Sequence, residues 1–155
     1  MVLEVRAPTL LVIEDTDDQA FLVGMAARRA HPGLDVRTAN NGLEGLAYLR
    51  GLAPFEDRNV HPTPNLVILD LYMPELDGFE VLSWIRDHMK DAEFPVVVLT
   101  GSVQPEDEAR ALDLGARSVH KKPPEIQALA DVVSEIVHKW IGRGEMIAAH
   151  IWSAG

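Results

Sequence analysis

The sequence predicts an α/β domain in which five parallel strands form one doubly wound sheet with helices on both faces. Three short apolar runs, rich in Val and Ile, predict central strands that are covered on both sides: Leu10–Ile13, Leu66–Leu69 and Val96–Leu99. Amphipathic stretches separate these runs, and this alternation of strand and helix is typical of parallel sheets. A chain of 155 residues has the length of one domain, at the usual ~100–200 residues per domain.

Two weaker strands are predicted at Leu34–Ala39 and Arg117–His120. Their mixed polarity indicates positions at the edges of the sheet or under partial cover. The segment Gly51–Pro64 contains three prolines and no periodic pattern, so it is predicted to be a long loop before the strand that begins at Leu66.

Five helices are predicted from apolar residues at spacings of three and four. They lie at Asp17–Arg29, Gly42–Arg50, Gly78–His88, Pro105–Leu114 and Ile126–Trp140. The first helix carries Phe21, Leu22 and Met25 on one side, which predicts an apolar face there. In the fourth helix, a proline at the first position and Gly115 after the end are favoured start and stop residues.

Composition excludes several classes of protein. There are no cysteines, which excludes a disulfide scaffold, a thiolate zinc site and a cysteine nucleophile. The net charge of −10 disfavours direct binding to nucleic acid, which needs basic groups to meet phosphates. No apolar run is long enough to span a bilayer, and the first residues lack the pattern of a secretory signal. We therefore expect a cytoplasmic protein that binds neither nucleic acid nor membrane.

Polar side chains follow the three central strands at the point where each strand ends: Glu14 and Asp15, Asp70, and Thr100. In open α/β sheets, ligands bind at this carboxyl edge. Two carboxylates about 4 Å apart repel by about 4 kcal/mol at an effective dielectric near 20, so a proton, a lysine or a metal must compensate. The donors are hard oxygens, which favours Mg²⁺ over Zn²⁺.

A carboxylate beside Mg²⁺, with a hydroxyl and an ammonium group nearby, can carry out phosphoryl transfer. Lys121 and Lys122 end the fifth predicted strand, and Lys122, directly before Pro123, is the preferred ammonium group. A single acid after a strand is more often an Asx turn or a helix cap. Four such residues at predicted carboxyl ends, with a lysine at a fifth, favour a functional site.

The sequence resembles the response-regulator receiver domains of two-component signalling. The segments that carry the resemblance agree in order and spacing: Val12–Asp15, Leu66–Gly78, Val98–Gly101 and Lys122–Pro123. The match covers roughly residues 8–140. It implies a flavodoxin-like receiver fold, with helices on both faces of a sheet in the strand order 2-1-3-4-5.

The resemblance also implies roles for single residues. Asp70 would be the phospho-acceptor, and Mg²⁺ would be held by Glu14, Asp15, Asp70 and the backbone carbonyl of Tyr72. Thr100 would be the switch hydroxyl and Lys122 the phosphate-contacting lysine.

Three further residues would shape the loops of this site, namely Pro74, Gly78 and Pro123. Receiver domains often have an aromatic switch residue three positions before the lysine, where this chain has Val119, followed by His120. The long segment Gly51–Pro64, together with Asp17–Asp18 and the region of Trp140, resembles the single-domain regulators that are paired with phytochrome-type histidine kinases.

The resemblance divides the chain into a receiver domain, 1–142, and a C-terminal extension, 143–155. Six apolar residues at and beyond the end of the last helix predict a dimer contact or an arm that packs on its own domain: Trp140, Ile141, Met146, Ile147, Ile151 and Trp152. The implied partners are a cognate sensor histidine kinase of the bacteriophytochrome type, a second copy of the chain, and a downstream protein or phosphotransfer protein. Only about fifteen residues follow the receiver, so we expect output by protein contact or phosphorelay.

Alternatives to a phosphorylated receiver stay open at this point. A receiver-like interaction module that works without phosphorylation shares the same fold. A haloacid-dehalogenase-like phosphatase is echoed faintly by Asp15–Asp17, and a flavin-binding flavodoxin shares the winding but not a phosphate-binding loop. In the favoured interpretation the chain catalyses its own phosphorylation and dephosphorylation and turns over no separate substrate, so it is not an enzyme.

Overall fold

Residues 6–142 are described by the structure, which is a computed structural model. Strands and helices alternate five times along these residues: β1 Thr9–Ile13, α1 Asp17–Ala30, β2 Asp35–Ala39, α2 Gly42–Arg50, β3 Leu66–Leu69, α3 Gly78–His88, β4 Val96–Thr100, α4 Pro105–Asp113, β5 Ser118–Lys121 and α5 Ile126–Trp140. All strand pairs are parallel, and the sheet has the order β2-β1-β3-β4-β5. The predicted fold class and strand order are confirmed.

The sheet separates two apolar clusters, one on each face. Every residue of β1, β3 and β4 is buried, as the continuous apolar runs predict. Side chains of α2, α3 and α4 cover one face, and side chains of α1 and α5 cover the other. The two strands of mixed polarity, β2 and β5, lie at the edges, so the central strands are held from both sides and their carboxyl ends meet at one edge.

Helix α1 buries a different side from the predicted one. Phe21 is 63% exposed, whereas the buried side consists of small residues such as Ala20, Val23 and Ala27. Val23 and Ala27 belong to the cluster that α1 shares with α5, where their small size allows the two helices to approach closely. The predicted apolar face was therefore wrong for Phe21, whereas Leu22 does pack against the edge of this cluster.

The predicted loop before β3 contains neither helix nor strand, yet it packs on the domain. The Phe55 ring lies 5.0 Å from the Tyr48 ring and 5.2 Å from the His61 ring, between centroids. The Tyr48 hydroxyl donates a hydrogen bond to the carbonyl of Pro62 at 2.8 Å. Arg58 donates to the carbonyl of Leu49 at 2.9 Å, so aromatic and polar contacts together fix this segment against α2.

Within residues 6–142, none of the helices combines the length and the apolar character that crossing a bilayer requires.

Candidate functional site

The carboxyl ends of β1 and β3 place two acids side by side. The ladder continues one residue past each strand, because the N–H of Glu14 donates to the carbonyl of Ala39 at 3.0 Å and the N–H of Asp70 donates to that of Ile13 at 3.1 Å. Asp15 follows directly and is more accessible than its neighbour. One carboxylate oxygen from each of the three acids lies within 4.8 Å of the others. The structure thus brings together the three carboxylates that the sequence predicts.

Two of these carboxyl groups are buried, and burial changes their electrostatics. Glu14 is 4% exposed and Asp70 is 7% exposed. Burial and the negative charge of Asp70 together raise the pKa of Glu14 to about 7, although the hydrogen bond from Lys122 acts to lower it. The pocket therefore favours groups that bring positive charge to these oxygens.

Lys122 supplies one such charge. Its Nζ donates to Oε2 of Glu14 at 2.8 Å and lies 3.6 Å from Oδ2 of Asp70. The N–H of Lys122 donates to the carbonyl of Thr100 at 2.7 Å, so the residue directly after β5 stays attached to the end of β4. The side chain is 10% exposed, and its ammonium group bridges two carboxylates that also have little contact with water.

Two buried oxygens at the site have no hydrogen-bond partner among residues 6–142: Oδ1 of Asp70 and Oγ1 of Thr100. A buried polar atom without a partner costs about 1–3 kcal/mol, and such atoms concentrate where a ligand binds. Thr100 is 1% exposed and ends β4, next to the strand that leads to Asp70. The arrangement fits a hard divalent cation beside the carboxylates and an acceptor of a hydrogen bond beside Thr100.

The loop after Asp70 is tightly built around Gly78. A Cβ at this position would lie 2.7 Å from Cα of Leu71 and still closer to the carbonyl oxygen of Asp70. The N–H of Gly78 donates to the carbonyl of Leu71 at 2.8 Å, and Asp77 caps α3. The loop-shaping role predicted for Gly78 thus has a steric basis, since only a residue without a side chain fits against the main chain at Asp70 and Leu71.

The remaining predicted loop residues have fewer contacts. Pro74 is exposed and precedes Glu75, whose φ of 68° is in the left-handed region. Pro123 follows Lys122 and is half-buried. The side chain of Tyr72 points to solvent with 51% exposure, and its hydroxyl donates to the carboxylate of Asp107 in α4. This contact was missed at the sequence level, because nothing in the sequence connects two polar residues 35 positions apart.

At the position of the expected aromatic switch residue, Val119 packs against the cluster beneath α3 and α4. His120 lies 2.9 Å from the Ser118 hydroxyl through its Nε2, and burial lowers the pKa of His120. His120 thus lies away from the carboxylates at Glu14 and Asp70, and the structure gives it no contact with them.

The predicted C-terminal arm is described only in part. Trp140 ends α5, and it packs with Ile141 against the cluster that α1 and α5 share. His31 lies 3.0 Å from the carbonyl of Gly142 through its Nδ1. The other four residues of the predicted arm lie outside the described residues: Met146, Ile147, Ile151 and Trp152.

Comparisons with known proteins agree with the geometry. The sequence profile described as "Response regulator receiver domain" matches residues 10–134. A curated relative, the probable methanogenesis regulatory protein FilR2 of Methanothrix harundinacea strain 6Ac, is 34% identical over 142 residues, which cover 91% of this chain and 89% of that protein.

Two solved structures are also similar. The phosphorylated cyanobacterial phytochrome response regulator RcpA superposes with a TM-score of 0.80 at 28% identity, over 87% of this chain and 94% of that one. The Mn²⁺-bound form of the response regulator Rcp1, which is a protein of Synechocystis sp., superposes with a TM-score of 0.76 at 28% identity, over 86% of this chain and 94% of that one.

Proposed function

We propose that this chain, which belongs to the family of response regulator receiver domains, accepts a phosphoryl group on Asp70 in two-component signalling. The observation that carries the proposal is the state of this side chain: it is 7% exposed, one of its oxygens lies 3.6 Å from a lysine ammonium, and the other oxygen has no partner among residues 6–142. Because that oxygen has no hydrogen-bond partner, its lone pairs are not already engaged by another group of the described residues.

The residues present suit a divalent metal, for which we propose Mg²⁺. Glu14, Asp15 and Asp70 would hold it through carboxylate oxygens, with the main-chain carbonyl of Tyr72 as a further ligand. When bound, the ion would neutralise charge that builds up on the phosphoryl oxygens. The Mn²⁺-bound form of Rcp1 is a metal complex of a similar protein and supports a divalent ion at this pocket.

The proposed cycle has two steps, phosphoryl transfer to Asp70 and hydrolysis of the acyl phosphate. In the first, a carboxylate oxygen of Asp70 attacks the phosphorus of a phosphohistidine, a new O–P bond forms, the P–N bond breaks, and the imidazole leaves. In the second, water attacks the phosphorus, the O–P bond to Asp70 breaks, and inorganic phosphate departs. Lys122, which already contacts Asp70, would pair with a phosphoryl oxygen throughout. The chain catalyses its own modification and is not an enzyme acting on a separate substrate.

The buried hydroxyl of Thr100 would transmit the change. Phosphorylation adds roughly two negative charges and strong acceptor oxygens at Asp70. A hydrogen bond from Thr100 to one of them would give this orphaned hydroxyl a partner and draw the loop between β4 and α4 toward the site. The surface formed by α4, β5 and α5 would then have two arrangements, and a downstream protein or phosphotransfer protein would read one of them.

The phosphodonor would be a cytoplasmic sensor histidine kinase of the phytochrome type. The support is the similarity to RcpA, which is a phytochrome response regulator.

We also propose that the extension at residues 143–155 contributes to a homodimer. Removing these residues and measuring the mass in solution tests the dimer. An unchanged number of chains per particle would argue against a role for the extension.

An acyl phosphate with Mg²⁺ tests the acceptor. Intact-mass analysis should show one added phosphoryl group on the wild-type chain and none on the Asp70→Asn variant. Asp91→Asn, at an exposed loop position, is the matched control and should be labelled like the wild type. Undiminished labelling of the Asp70→Asn variant would refute the acceptor. Absence of Mg²⁺-dependent labelling of the wild type would favour a receiver-like module that works without phosphorylation.

A further inference from the structure

Helix α4 is attached to the domain more weakly than the other helices. Of its nine residues, all of which the structure describes, only Ala111 is buried. Each of the other four helices within residues 6–142 buries four residues or more. Apolar burial is what normally holds a short helix in place, so the position of α4 depends on contacts at its edge.

One edge contact comes from the segment that carries the proposed phospho-acceptor. The hydroxyl of Tyr72, two residues after Asp70, donates to the carboxylate of Asp107 in the first turn of α4. The same carboxylate accepts from the N–H of Gln104 at 3.4 Å, at the start of the helix. The bond therefore connects the loop after β3 to the loop after β4, which are the loops of the acceptor and of the Thr100 hydroxyl.

An aromatic contact supports the bond one turn further along the helix. The guanidinium carbon of Arg110 lies 4.1 Å from the centroid of the Phe79 ring. The Tyr72 ring packs edge-on against the same ring, with 6.3 Å between centroids. Tyr72 and Phe79 thus hold one side of α4 through Asp107 and Arg110. At position 119 on β5, where receiver domains often have an aromatic residue, this chain has the shorter side chain of Val119.

We infer that the Tyr72–Asp107 hydrogen bond holds α4 in the position it has before phosphoryl transfer and is given up afterwards, an inference that rests on the proposed function. In this structure the Tyr72–Asp107 bond is present while Nζ of Lys122 lies 2.8 Å from Oε2 of Glu14. Lys122 must loosen that contact with Glu14 in order to reach a phosphoryl oxygen, so the structure shows the arrangement before phosphoryl transfer. When Thr100 moves toward that oxygen, the short loop it begins leads directly into α4 and moves Asp107 with it.

The energetic consequence follows from linkage. A contact that is made in only one of two conformations shifts the equilibrium away from the other conformation by the free energy of that contact. Tyr72 is therefore a positioning residue, which acts on the phosphorylated state through α4 and not through contact with phosphorus. Loss of its hydroxyl should free α4 and favour the state with a phosphoryl group.

Amide hydrogen exchange on the full chain tests the hold on α4 without any phosphodonor. In Y72F, which keeps the main-chain carbonyl, the α4 amides should exchange faster by roughly threefold to tenfold, the factor for one lost hydrogen bond. D107A also loses the contact with the N–H of Gln104, so its α4 amides should exchange at least as fast as those of Y72F. D107N keeps an acceptor for the Tyr72 hydroxyl and should restore most of the protection. Glu106→Ala removes a carboxylate from the neighbouring exposed position and is the matched control.

Binding of beryllium fluoride with Mg²⁺, a mimic of the phosphoryl group, tests the coupling. Y72F and D107A should each bind it more tightly by roughly threefold to tenfold, and adding Y72F to D107A should change the binding no further, since the Tyr72–Asp107 bond is already absent in D107A. Equal or weaker binding by Y72F, or unchanged exchange in α4, overturns the inference and leaves the proposed function standing. If the wild-type chain shows no Mg²⁺-dependent binding, the proposed function fails and the inference fails with it.

Discussion

Replacing Lys122 by Met tests the electrostatics of the site most severely. Met keeps much of the length and apolar stem of the side chain but removes the ammonium group. In the structure that group lies 2.8 Å from Glu14 and 3.6 Å from Asp70, and the side chains of all three residues are at most 10% exposed. The variant therefore leaves two buried carboxyl groups facing each other without a cation.

The expected loss of stability is set by two opposing effects. Removing one partner of a buried ion pair costs about 3–5 kcal/mol. Glu14 relieves part of this cost, because its pKa is already raised to about 7 and it can take up a proton near neutral pH. We therefore expect the free energy of unfolding to fall by about 3 kcal/mol at pH 7 without metal. The loss should grow as the pH rises above 7, where the proton is harder to keep.

Urea unfolding with and without Mg²⁺ measures this effect. Added Mg²⁺ should recover more stability in Lys122→Met than in the wild type, because the ion no longer competes with an ammonium group for the carboxylates. Lys121→Met is the matched control, since that side chain is exposed and its loss should change stability by less than about 0.5 kcal/mol. A loss below about 1 kcal/mol at pH 8 in Lys122→Met would refute the view that this lysine neutralises the buried acids.

Three further predictions concern stability. Gly78→Ala should lower the free energy of unfolding by about 3 kcal/mol in thermal or urea unfolding, because its Cβ would press on the main chain at Asp70. Between pH 4.5 and about 7 the folded metal-free protein holds the Glu14 proton more tightly than the unfolded chain, so stability should fall as the pH rises through this window. Glu14→Gln should remove that slope, and an unchanged slope would contradict the raised pKa. Tyr48→Phe should cost about 1–3 kcal/mol in urea unfolding, because it leaves the buried Pro62 carbonyl without its donor.

The sheet was predictable because its central strands are short, apolar throughout and separated by helical patterns. Edge strands were predictable to within one residue: β2 begins at Asp35, one residue after the predicted start, and β5 is shifted by one residue to Ser118–Lys121. The rotation of α1 was not predictable, because an exposed Phe21 and a buried row of alanines depend on how closely α5 approaches. Local pattern determines an element, whereas packing between elements decides which side is buried.

The site was predictable as a set of residues, because acids that end neighbouring parallel strands must meet at one edge. Which of these side chains contact each other was not predictable. The lysine predicted for phosphate contact bonds to Glu14 and lies farther from Asp70, a choice that depends on side-chain geometry over a separation of 108 residues. The link from Tyr72 to Asp107 is of the same kind, since the meeting of two ordinary polar residues depends on the fold.

Locating the modified side chain tests the central claim most directly. Borohydride reduces an aspartyl phosphate to homoserine, so the chain can be treated with an acyl phosphate and Mg²⁺, reduced, digested and sequenced by mass spectrometry. We predict homoserine at position 70 alone, and none when Mg²⁺ is withheld. The account would be contradicted if homoserine were found at another aspartate, such as Asp15 or Asp77, while position 70 was unchanged.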